Sequence, residues 1–154
     1  METKEIKKLL AATFGHLDDQ QLAALTIFGE ARGESRDGRI AVGAVIMERV
    51  EHREWDGDTV HEVCLMPYQF SCYLPNDPNF KELTRIADTW DEFFPKSVTL
   101  RQCYDIACGL LAGSIERNVK GALQYVNPKA VKVMPEWTKT MKLVAAIGHH
   151  VFYA

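Results

Sequence analysis

The sequence predicts a mainly helical α+β domain with a small antiparallel sheet at its C-terminus. Three observations carry this prediction. Apolar residues recur at helical spacing from residue 4 to about 115, whereas short apolar runs of strand length appear only after residue 122. There is no strand–helix alternation, and neither a G-x-G-x-x-G nor a Walker sequence, so a doubly wound nucleotide-binding sheet is excluded. At 154 residues the chain is one domain, long enough to bury about 70% of its unfolded surface without disulfide or metal staples.

The elements follow in order. Ile6, Leu9, Leu10 and Phe14 mark an amphipathic helix over 4–14, stopped at Gly15; residues 1–18 form an N-terminal helical extension to the single domain 1–154. Asp18 or Asp19 caps a second helix whose apolar stripe (Leu22, Ala24, Leu25, Ile27, Phe28) ends near Glu30, with Gly33 as its breaker. Asp37-Gly38 is expected to be a turn before a third helix through Ile40, Val42, Val45, Ile46 and Val50, whose small Ala41/Gly43/Ala44 face permits close helix packing. Thr59 and Glu62 have capping-box spacing for a short helix at 60–65. Residues 67–79, with three prolines and two asparagines, are a loop. A helix from about Asn79 to Phe93 is expected to stop at Pro95, and Ser97 or Thr99 caps the next, which carries Tyr104, Ile106, Ala107, Leu110, Leu111 and Ile115. Residues 122–126, 142–147 and 150–153 are predicted strands, the last two joined by a hairpin at Gly148-His149.

Composition narrows the function. Hydrophobic residues at 47% and charged residues at 25% are those of an ordinary globular protein. With 18 Lys+Arg against 21 Asp+Glu the net charge is −3, which argues against a partner bound through phosphate neutralisation, hence no nucleic acid. No stretch reaches the ~20 apolar residues of a membrane span, and the N-terminus lacks the apolar core of a signal peptide, so the chain is expected to be made in the cytoplasm. Cys64, Cys72, Cys103 and Cys108 lack C-x-x-C spacing and read as buried small apolar side chains, with a Cys64–Cys72 bridge or a cysteine nucleophile as alternatives. His149-His150 invites a metal reading, but no adequate ligand spacing accompanies it; we expect a structural histidine in the hairpin, no metal and no cofactor.

Two groups of residues point to chemistry. Glu30 follows the apolar stripe inside Gly29-Glu30-Ala31-Arg32-Gly33-Glu34, beside Ile27 and Phe28. A carboxyl held against apolar side chains has its charged form disfavoured, which suits a general acid. The bland alternative is that Glu30, Arg32 and Glu34 are solvated helix-end charges. Tyr68, Gln69, Phe70, Tyr73, Gln124, Tyr125, Asn127 and Trp137 lie mostly on predicted loops and strand ends. Sugar sites use such a mixture, with aromatic faces against pyranose rings and amides against hydroxyls; the alternative is that the aromatics belong to the core.

The run from Ala23 to Glu34 resembles the opening motif of the SleB/CwlJ-type cell-wall hydrolases, a family that includes spore cortex-lytic enzymes and phage endolysins. Further blocks match in the same order: Gly38 and Ala41–Ile46 with Arg49-Val50; Gln69-Phe70-Ser71-Cys72; Tyr125, Asn127-Pro128 and Pro135-Glu136-Trp137; and Ile147-Gly148, His150 and Val151-Phe152-Tyr153. Together they span about residues 20–153. The family's usual T-H-Y-H-N-P is here Leu123-Gln124-Tyr125-Val126-Asn127-Pro128, without its histidines, and residues 74–98 look like an insertion that forms a cleft wall.

The resemblance implies a lysozyme-like, lytic-transglycosylase-like fold and a peptidoglycan-degrading enzyme. Its target is the β-1,4 bond between N-acetylmuramic acid and N-acetylglucosamine, with Glu30 as catalytic acid/base and a 1,6-anhydro product. Glu34, Gln69, Phe70, Ser71, Gln124, Tyr125, Asn127 and Trp137 are the expected substrate-binding residues. The expected setting is a monomeric phage endolysin acting on wall glycan strands after holin-type release. A water-using muramidase, an N-acetylmuramoyl-L-alanine amidase and a non-catalytic glycan-binding module are the alternatives.

Overall fold

The computed structural model describes residues 1–52 and 54–154. Helices α1 (Thr3–Phe14), α2 (Asp19–Ala31), α3 (Arg36–Glu51) and α4 (Val60–Cys64) are followed by a 3₁₀ turn at Ser71–Tyr73. Helices α5 (Pro78–Asp88), α6 (Trp90–Phe93) and α7 (Val98–Ala112) come next. Strands β1 (Gln124–Val126), β2 (Leu143–Ile147) and β3 (His150–Tyr153) close the chain, as predicted. Among the described residues no helix is long and apolar enough to cross a membrane.

Helix α2 is the buried axis. Its residues from Leu22 to Phe28 are all buried, and it packs against α7 and α3. A capping box starts it: the Asp18 carboxylate accepts the Gln21 N–H at 2.7 Å, and the Gln21 side chain accepts the Asp18 N–H at 2.9 Å. The small face of α3 does what its composition predicts. A Cβ on Gly43 would lie 2.6 Å from Leu110 and 2.9 Å from Ile27, so three helices meet where one residue has no side chain.

The elements differ from expectation at three places. Asp37-Gly38 is no turn: Ser35 caps α3 by accepting the Gly38 N–H, and a Cβ on Gly38 would press on the Glu34 side chain. The helix expected over 79–93 breaks at Thr89 (φ −126°, ψ 33°), whose hydroxyl donates back to the Arg85 carbonyl at 2.7 Å. Helix α7 ends at Gly113 in the left-handed conformation (φ 76°), so Ile115 lies beyond it and folds back over Gly109.

The sheet has the order β1-β3-β2, antiparallel throughout, with a bulge between Leu143 and Ala145. Gly148 (φ 58°) turns the β2–β3 hairpin. Phe152 on the central strand packs with Ala31, Ala41, Val42, Ala44 and Val45, a second core cluster that fixes the sheet against α3 and the end of α2. This contact brings β1 to the C-terminus of α2, where Glu30 sits.

Candidate active site

Glu30 lies in the last turn of α2, at one end of the buried axis. Its Oε2 accepts the Cys72 backbone N–H at 3.2 Å and the Ser71 hydroxyl at 3.4 Å, and its Oε1 accepts the Tyr125 hydroxyl. Three donors from two separate elements, the 71–73 turn and β1, thus converge on one carboxylate. Glycine at 29 permits the approach of the 71–73 turn, because a Cβ there would lie 2.9 Å from both Cys72 Sγ and a Leu83 methyl. The surroundings of the carboxylate are therefore hydrogen-bond donors, not the apolar wall expected from Ile27 and Phe28, which turn into the core.

Glu30 opens into a cleft of about 470 Å³ bordered by Gln69, Ser71, Gln124, Tyr125 and Asn127, all expected from the sequence. The cleft is also bordered by Tyr68, Asn79, Arg49 and His150. Leu74 and Asn79 place the start of the 74–98 stretch in the wall, as its insertion-like character suggested. Tyr68 is 59% exposed and has φ 69°, an uncommon conformation for a large side chain, and it presents its ring at the cleft. Tyr125 remains a donor: burial, then the neighbouring Glu30 charge, push its phenol well above the ordinary range.

Arg49 went unassigned in the sequence, and its position is decisive for the cleft floor. It is 2% exposed, with its guanidinium between the faces of Trp55 (4.5 Å) and Phe70 (4.9 Å). Its Nε donates to the Leu123 carbonyl at 2.8 Å, and a terminal nitrogen to the Gln124 amide oxygen at 3.3 Å. Burial pulls its pKa down, opposed by Tyr125, Cys64 and Glu30. Its signals in the sequence are a charged residue on an apolar helical face and its place in the Arg49-Val50 block of the family resemblance.

This constellation sits within a recognisable relationship. Residues 33–153 match the sequence profile of the cell wall hydrolases. The chain belongs to that family. It is 28% identical over 139 residues to a spore cortex-lytic enzyme of Oceanobacillus iheyensis, covering 88% of this chain and 41% of the relative. With a spore cortex-lytic enzyme of Halalkalibacterium halodurans the identity is 29% over 148 residues, covering 96% and 38%. The chain thus spans about two fifths of the length of these relatives. Its fold is similar to the catalytic domain of the Bacillus cereus SleB protein (TM-score 0.60, 28% identity, 88% of this chain and 89% of that one). It is also similar to the catalytic domain of the germination-specific lytic transglycosylase SleB of Bacillus anthracis (TM-score 0.62, 28% identity, 88% and 93%).

Three residues expected at the substrate are placed elsewhere in this cell wall hydrolase domain. Phe70 is 1% exposed and serves as the stacking face under Arg49, so it is a core residue. Trp137, in a 3₁₀ turn at Glu136–Lys139, packs edge-on to Tyr153 with ring centroids 5.3 Å apart and does not border the Glu30 cleft. Glu34 is turned to the β2–β3 hairpin, where its two oxygens accept the His149 N–H at 2.8 Å and its Nδ1 at 2.6 Å. The cysteines are free, and burial pushes the Cys64 thiol up to about 12, the Cys103 thiol to about 11 and the Cys72 thiol well above its usual value. This replaces the Cys64–Cys72 bridge by two separate buried thiols and leaves none of the three a ready nucleophile.

Proposed function

We propose that this domain cleaves the β-1,4 bond between N-acetylmuramic acid and N-acetylglucosamine as a lytic transglycosylase, with Glu30 as the acid. The observation that carries the reading is that Glu30 is the one carboxylate bordering the cleft, among the described residues. Glycosidases that use water or a carboxylate nucleophile need a second acid across the bond. The other carboxylate of the motif, Glu34, is engaged with His149. A single acid suffices when the attacking oxygen is the sugar's own C6 hydroxyl, which closes a 1,6-anhydro ring. The proton of Glu30 passes to the departing glycosidic oxygen, and the Cys72 N–H, the Ser71 hydroxyl and the Tyr125 hydroxyl stabilise the carboxylate left behind.

Gln69, Gln124, Asn127 and Ser71 offer amides and a hydroxyl to the sugar, and the exposed Tyr68 ring offers a stacking face. The partner is the peptidoglycan strand, bound by a single copy of this domain in the wall or the spore cortex. The relatives described above are cortex-lytic, so the endolysin setting with holin-type release draws no support from them. The amidase alternative needs a nucleophile or zinc ligands at the cleft, and burial pushes the thiol beside Glu30, Cys72, well above its usual range.

The test is Glu30→Gln in purified protein, assayed for release of soluble muropeptides. The expected result is loss of release, with a 1,6-anhydro end in the wild-type product by mass spectrometry. A reducing muramic end assigns a muramidase, and free peptide from intact glycan an amidase. Undiminished glycan cleavage by Glu30→Gln overturns the reading.

A further inference from the structure

The cleft holds a second proton-transfer group that the single-acid scheme leaves unused. Both oxygens of Glu30 already accept hydrogen bonds, Oε2 from two donors and Oε1 from a third. A carboxylate engaged in this way has few lone pairs left for the C6 hydroxyl proton. His150, the first residue of β3, is 8% exposed and borders the same cleft. Its ring stands edge-on to the Tyr125 ring with centroids 5.0 Å apart, so one phenol separates it from Glu30. Its Nδ1 is enclosed without a hydrogen-bond partner and lies 3.9 Å from Glu34 Oε1, which leaves Nε2 as the ring nitrogen toward the cleft.

We propose that His150 Nε2 accepts the proton of the muramyl C6 hydroxyl during ring closure, with Glu34 as the positioning residue behind it. The assignment rests on the reading of Glu30 as the acid. The charges facing the imidazole are Glu34 from the α2–α3 turn, Glu30 from α2, His149 from the hairpin and the Tyr125 phenol from β1. Burial lowers the pKa of His150 by more than the two carboxylates raise it, so at neutral pH the ring is uncharged and has a lone pair to offer. Burial alone would raise Glu34, yet the bonds from His149 and the charges of both histidines bring it below its ordinary value, so it is ionised and ready to stabilise an imidazolium.

The step balances. The Glu30 proton goes to the glycosidic oxygen, and the electrons of the C1–O bond leave with the departing sugar. The C6 oxygen bonds to C1 and its proton goes to Nε2. The imidazolium then gives its proton to solvent and the Glu30 carboxylate takes one up from solvent, restoring both groups.

The test compares wild type, His150→Gln, Glu34→Gln and Glu30→Gln on peptidoglycan sacculi, with melting curves for each. For His150→Gln the expected result is a fall in kcat of about 10²–10⁴-fold at unchanged KM, the size of a general-base contribution, with loss of the acidic limb of the kcat–pH profile. For Glu34→Gln that limb moves to lower pH, because a histidine without its carboxylate holds its proton less well. Should His150→Gln fold poorly, histidine-selective ¹⁵N NMR of the wild-type protein decides instead: the assignment requires Nδ1 protonated and Nε2 bare at neutral pH, and the opposite tautomer overturns it. His150→Gln with wild-type kcat and an intact acidic limb, beside an inactive Glu30→Gln, overturns the role of His150 alone. An active Glu30→Gln overturns the underlying reading and this role with it.

Discussion

Glu30 depends on its neighbour for its setting. Gly29 lets the 71–73 turn come close enough for the Cys72 N–H to reach the carboxylate. Gly29→Ala forces a methyl against Cys72 and Leu83, and we expect it to cost about 1–3 kcal/mol in urea unfolding, as overpacking does. It should also lower kcat, since the donor it displaces is the backbone itself. Tyr125→Phe removes the donor to Oε1 without changing the volume of the wall. A hydrogen bond to a charged group contributes about 1.5–3 kcal/mol, so kcat is expected to fall roughly 10–100-fold, with a lower melting temperature beside it. A Tyr125→Phe protein with wild-type kcat removes the phenol from the machinery.

At the scale of elements, two polar contacts add to the Phe152 cluster in holding the sheet on the helices. Glu34 accepts two bonds from His149, tying the α2–α3 turn to the β2–β3 hairpin. Its folded-state pKa lies below its ordinary value of 4.5, burial raising it and the His149 bonds lowering it further. The contact therefore stabilises the fold above the unfolded-state value and is lost as pH falls through the lower, folded one. Melting temperature should drop on acidification below 4.5, and Glu34→Gln should flatten that drop. A variant with the same acid dependence as wild type assigns the loss to other carboxylates. Arg49 holds β1 through the Leu123 carbonyl and the Gln124 amide while its faces stack on Trp55 and Phe70. Lysine keeps the charge but loses the planar fork and the stacking. Arg49→Lys is expected to lower stability by about 1–3 kcal/mol, the cost of a buried acceptor left unpaired, read as a shift in urea midpoint.

For the whole molecule, the net charge of −3 means little electrostatic attraction to an anionic wall. Turnover on sacculi is expected to change less than about threefold between roughly 50 and 200 mM salt, since the contacts of the cleft are short-ranged and screening acts on distant charges. A steep loss with salt would locate recognition on a charged surface outside the cleft.

Helix positions, caps and the strand-rich end were legible in the sequence because they follow from local rules. Asp18, Ser97 and Thr59 accept nearby N–H groups, Gly148 adopts positive φ, and apolar spacing sets the period. Glu30 and the polar residues Gln69, Ser71, Gln124, Tyr125 and Asn127 were legible as a set through motif order. The direction in which each side chain points was not. Phe70 and Ser71 are adjacent, yet one lies in the core and the other at the cleft; likewise Glu34 faces the hairpin while Glu30, one turn earlier, faces the cleft. Such choices depend on contacts between residues far apart in the chain, such as Arg49 with Leu123 and Glu34 with His149. The sequence by itself determined most of the elements, their order and the place of Glu30 at the end of α2. Only the tertiary structure decided which donors surround that acid and which charges are buried beside it, because hydrogen bonding and burial are settled by packing across the chain rather than by spacing along it.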